Sequence, residues 1–167
     1  MTKAARTVLA DCEEALADLT EGVQGSAWRR RWVTAVVLLR AVGHVLESVD
    51  SELSAAYSTV IARRWNALRA TQPEPLIFWR FICDERNNLV KEYRFAAGQG
   101  VTVRPGLAQV DLSTGEQAAS PSLPPVYHYL MIDGPFKGDD QRDVLRRAIQ
   151  WWRDYLDAID AEAATLA

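Results

Sequence analysis

The sequence predicts a mainly α protein, an antiparallel bundle of about five helices with a small three-stranded antiparallel β insertion before the last helix. Three observations carry this reading. Apolar residues recur at helical spacing in five segments, the period changes to β-branched and aromatic runs between Val101 and Ile132, and Gly, Pro and Ser gather at the joints. The 167 residues are about half apolar, enough for one well-buried core and too few for two ordinary domains. Residues 1–167 are therefore read as one domain, with 3–97 and 137–163 as the helical bundle and 98–135 as the β insertion and its loop.

Val8, Leu9, Cys12, Leu16 and Leu19 define a first helix from about Lys3 to Thr20, stopped near Gly22 and Gly25. Ser26 is placed to cap a second helix whose apolar residues run from Trp28 to Val49 around nearly the whole circumference, as expected when neighbours surround it. Its most apolar run, Trp32 to Leu46, is interrupted by Arg40 and His44 and is shorter than the roughly 20 residues of a membrane span, so no membrane association is expected. A third helix carries Leu53, Tyr57, Val60, Ile61, Trp65 and Leu68 on one stripe and ends at Thr71–Pro75. The fourth continues to about Ala97, before Gly98 and Gly100. Val101–Val103 and Leu107–Leu112 flank the turn former Arg104-Pro105-Gly106 as a hairpin, Ser113–Pro125 reads as a loop, and Val126–Ile132 as a third strand. The last helix spans about Asp139 to Ala163.

Net charge is only −3, so no global attraction to nucleic acid or an anionic surface exists and any basic site must be local. Cys12 and Cys83 are expected to stay reduced thiols in a cytoplasmic setting. No phosphate-cradling glycine loop, zinc-ligand spacing or nucleophile elbow occurs, and no cofactor or metal is expected. Trp28-Arg29-Arg30-Arg31-Trp32 and Arg63-Arg64-Trp65 read as solvated helix ends beside core indoles, His128 as a half-exposed strand residue, and Asp139, Asp140 and Asp143 as capping carboxylates.

The fourth helix is different, because Asp84, Glu85, Arg86, Asn87, Asn88 and Lys91 crowd charges and amides onto an otherwise apolar segment. On the second helix Arg40, His44 and Glu47 form a matching polar line. Buried charges require partners, so an Arg40–Glu85 contact is expected, with His44 near Arg86 or Asn87. Two readings remain open: a polar network that fixes helix register, and a site for a ligand.

The order Arg86, Asn87, three residues, Lys91, one residue, Tyr93 resembles the Arg-Asn-x-x-x-His-x-Tyr signature of HEPN (higher eukaryotes and prokaryotes nucleotide-binding) ribonucleases. The resemblance implies a helical homodimer whose paired subunits complete a metal-independent ribonuclease site, with arginine on the phosphate and histidine acting on the 2′-hydroxyl. Arg86, Lys91 and Tyr93 then fall at catalytic positions, with Asn87, Arg40 and Glu85 toward the substrate. Lys91 stands where the family carries histidine. An ammonium titrates near 10.4 and is a poor base at neutral pH, so the implied function is RNA or nucleotide binding by an altered site, in a prokaryotic defence or toxin–antitoxin setting. His44 is the candidate to replace the missing imidazole. The alternative is a non-catalytic module that binds a protein partner.

Overall fold

The structure is a computed structural model that describes residues 1–102, 108–110, 117–119 and 126–166, the two short middle segments by backbone alone. It is mainly helical, with α1 (Lys3–Asp18), α2 (Gly25–Ser48), α3 (Ala55–Ala70), α4 (Asp84–Glu92) and α5 (Gln141–Thr165). A 3-10 turn, Asp50–Leu53, precedes α3, and a π-helical segment, Ile77–Cys83, leads into α4. α5 shows how the periodic pattern becomes packing. Its Val144, Leu145, Ala148, Trp152, Leu156, Ile159 and Ala163 share one stripe and are all buried against α1, α3 and the π-helical segment. Trp32, Val36 and Leu39 of α2 meet Phe78, Phe81 and Ile82 in the same core.

The helix limits depart from expectation at several joints. α2 begins at Gly25 with no side-chain cap, so Ser26 does not serve as one, whereas Ser54 accepts from the Tyr57 N–H and caps α3. The expected fourth helix is two pieces. Bulky Phe78 and Trp79 are packed among Trp65, Trp151 and Trp152, Phe81 lies between Trp32 and Phe136, and the backbone there takes the wider π turn before returning to α-helix at Asp84. α4 then stops at Tyr93, which has left-handed backbone at φ 51°, and not at the glycines beyond Ala97. A window within Gly25–Leu53 is also long and apolar enough to cross a membrane by length and composition, with mean hydropathy 1.5, a test that the core helix of a folded bundle passes as well.

The strands pair differently from the expected three-stranded insertion. β1 (Ala97–Thr102) is antiparallel to β4 (Val126–Met131), from Ala97 opposite Met131 to Thr102 opposite Val126. β2 (Ala108–Val110) is antiparallel to β3 (Gln117–Ala119), which falls inside the expected loop. Val101 therefore faces Tyr127, and the two pairs are nested in sequence. The Arg104-Pro105-Gly106 turn and the rest of the Ser113–Pro125 loop lie outside the described residues. The β1–β4 ribbon is fastened to the loop between α1 and α2. Tyr129 Oη accepts from the Gly22 N–H at 2.8 Å, while Gln99 accepts from Gly25 N–H at 3.0 Å and donates to the Val23 carbonyl at 2.7 Å.

Two carboxylates hold the start of α1. Its first-turn amides need acceptors, and Asp50, almost wholly buried, takes the N–H groups of Ala4 at 3.1 Å and Ala5 at 2.8 Å. Asp160 of α5 accepts from Thr2 N at 2.7 Å, Arg6 Nη2 at 2.7 Å and Tyr57 Oη at 3.1 Å, joining α1, α3 and α5. Burial raises the Asp160 pKa, but the hydrogen bonds from Arg6, Thr2 and Tyr57 together hold it below the usual carboxylate value. Its stabilising contribution is complete above pH 3.8 and is lost as pH falls through the lower folded value. Asp160→Ala is expected to cost about 2–3 kcal/mol at neutral pH and to reduce the loss of stability between pH 4 and 2, as read by denaturant titrations across that range.

Candidate functional site

The candidate site lies along the seam between α2 and α4. Glu85 sets the rotation of α4 by pointing inward: it is 2% exposed, and its carboxylate accepts from the Trp32 indole N–H at 3.0 Å and from the Ala96 N–H at 3.1 and 3.2 Å. The expected Arg40–Glu85 contact is not formed, since the indole and the amide preceding β1 occupy both Glu85 oxygens. Desolvation raises the Glu85 pKa, opposed by the Trp32 and Ala96 hydrogen bonds and by the charge of Arg94.

One residue further along α4, about 100° around the axis, Arg86 emerges half-buried and donates to Asn87 Oδ1 at 3.2 Å. Among the described residues no carboxylate lies within 4.0 Å of Arg86, Arg40 or Lys91, whereas Arg6, Arg63, Arg64, Arg80 and Arg142 are all ion-paired. His44 is exposed on α2 beside them. Desolvation, then the charges of Arg40 and Arg86, push its pKa below 6.5, while Glu47 pulls the other way. The imidazole is therefore neutral at pH 7 and chemically able to take a proton. Arg40, His44, Arg86 and Asn87 thus form one polar group.

Lys91 is exposed in the last turn of α4. Tyr93, seven residues after Arg86, would share its face on a continuous helix but has left the helix; it is 65% exposed, with its ring edge-on to Phe95 at 5.1 Å. The seven-residue spacing fails to align them because the left-handed turn ends the helical period before Tyr93.

The remaining sequence candidates have structural surroundings. Trp28 and Trp32 are buried, and Arg63 and Arg64 both pair with Glu162. His128 Nε2 is 2.9 Å from Thr102 Oγ1 across the β1–β4 ribbon. Asp139, Asp140 and Asp143 pair with Arg147, Arg142 and Arg146, and no metal-holding cluster of His, Cys, Asp or Glu occurs among the described residues. Cys12 and Cys83 are free thiols, and burial pushes that of Cys12 up to about 12.

Sequence reasoning missed a cavity of about 260 Å³ between α2, α3 and α5, lined in part by Arg40, Glu47, Trp65, Trp152 and Tyr155. Its signal is Gly43, placed between the two charges in an apolar helix. A Cβ there would lie 2.9 Å from Trp152 Cη2 and 3.1 Å from Arg40 Nη1, so glycine lets both side chains close over the helix backbone.

Two outcomes are expected. Glu85→Gln, which keeps an acceptor and removes the charge, should stay within about 1 kcal/mol of the parent at pH 7, while Glu85→Ala loses about 3 kcal/mol by stranding two donors and opening a void. The raised Glu85 pKa means that stability declines as pH rises from 4.5 through the folded value, and Glu85→Gln should flatten that decline. The His44 ring should titrate below 6.5 by NMR and move upward in Arg86→Ala.

Comparison of the chain with protein-family models, with curated proteins and with solved structures finds no match.

Proposed function

We propose that this protein binds RNA or nucleotide phosphate through the α2–α4 seam, as a HEPN-like helical-bundle homodimer whose ribonuclease site is altered. The observation that carries this reading is Arg86, half-buried beside Arg40 and His44 with no carboxylate within 4.0 Å among the described residues. A half-buried guanidinium group without an acidic partner favours an anion, and a phosphodiester supplies two non-bridging oxygens that accept from a guanidinium fork. Asn87 orients the fork, and Lys91 adds an exposed charge on the same helix. The defence or toxin–antitoxin setting follows from the family resemblance. Neutral His44 is the base that would serve any residual metal-independent cleavage, because burial and the charges of Arg40 and Arg86 lower its pKa.

The second reading is a non-catalytic protein-interaction module. It is favoured by Glu85, whose inward hydrogen bonds give half of the polar constellation a structural role, and by exposed Val90 and Tyr93 near the seam. The readings separate experimentally. Binding of a short single-stranded RNA, followed by fluorescence anisotropy at low salt, should weaken at least about tenfold in Arg86→Ala/Lys91→Ala and show a shallower salt dependence. Unchanged affinity in a folded double variant removes the phosphate reading. Any metal-free cleavage of RNA should disappear in His44→Ala.

A further inference from the structure

The geometry points to a second binding site: the cavity between α2, α3 and α5 takes a small aromatic zwitterion, its carboxylate at Arg40 and its amine at Glu47. Both residues line the cavity, yet they are not paired with each other or with another charge within 4.0 Å among the described residues. Arg40 and Glu47 are seven residues apart on one helix, so their Cα atoms are separated by about 10 Å along its axis on one face, and opposite charges line one chamber.

Between them the wall is aromatic. Trp65 and Tyr155 are half-buried, and Trp152 is 2% exposed with its indole N–H lacking an acceptor. A flat ring fits such walls, and the volume of about 260 Å³ suits a ligand of one ring better than a polymer. Asn66 adds an amide at the rim. At Gly43 the missing Cβ lets Arg40 and Trp152 lie against the helix backbone as part of the lining. A ligand with only an anion meets the like charge of exposed Glu47, and one with only an amine meets that of half-buried Arg40; the zwitterion offers each the opposite sign.

An aromatic dipeptide and a free amino-aryl acid share this chemistry. Phe-Gly and 4-(2-aminoethyl)benzoate represent the two sources, with 3-phenylpropionate lacking the amine and phenethylamine lacking the acid. Titration of the full chain, followed by tryptophan fluorescence and by ligand-observed NMR, should give saturable binding of at least one zwitterion. That binding should be about tenfold or more tighter than that of either single-charge control. Arg40→Gln and Glu47→Gln should each remove that advantage, with thermal denaturation confirming the fold. If neither zwitterion saturates below about 10 mM, or both variants bind as the parent does, the site is refuted. This inference stands apart from the phosphate reading, which is tested through Arg86 and Lys91, so either can fail alone.

Discussion

The buried Glu85 carboxylate is the constraint from which the α2–α4 seam follows. It ties α4 to Trp32 in the middle of α2 and catches the Ala96 amide just before the chain becomes β1. A charge removed from water is costly unless hydrogen-bonded, and here two donors from separate parts of the chain converge on it. With Glu85 turned inward, the next residues on the helix must lie at the side, which is how Arg86 and Asn87 come to the seam. The same carboxylate thus anchors the chain where it enters the ribbon and brings the half-buried Arg86 guanidinium to the seam beside His44.

A second pair of acids does for α1 what Glu85 does for α4. Asp50 and Asp160 come from distant parts of the chain and meet the amide-rich start of the first helix, where the helix dipole favours negative charge. The tertiary arrangement is therefore specified by acid-to-amide contacts at helix ends as well as by apolar stripes. Greasy surfaces alone are tolerant of sliding; these contacts are directional and fix which residue sits where.

Much of the fold was legible because five stretches repeat at 3.6 residues with little ambiguity. Val144 through Ala163 is the clearest, and its buried stripe agrees with the pattern throughout. The failures have specific causes. Side-chain periodicity carries no information about a π turn forced by crowded aromatics, so the π-helical Ile77–Cys83 was read as ordinary helix. Strand content was visible, but strand pairing depends on non-local contacts, and Val101 joined Tyr127 across a long separation in place of its near neighbour. At the candidate site, Arg86, His44 and Arg40 stood out as charges in apolar helices. The partner of Glu85 did not, because an indole N–H and a backbone amide look apolar or featureless in a sequence. The chamber behind Gly43 was illegible for a related reason: its aromatic wall is completed by Trp152 and Tyr155 of α5, remote in the chain from α2 and α3.

The nesting of the strands makes the segment between Thr102 and Val126 a side branch of the architecture. Departure and return occur at adjacent positions on one ribbon, and the junction is clamped by Tyr129 and Gln99 to the α1–α2 loop. Chain inserted between Thr102 and Val126 therefore starts and finishes at one spot, the condition that a grafted reporter domain requires.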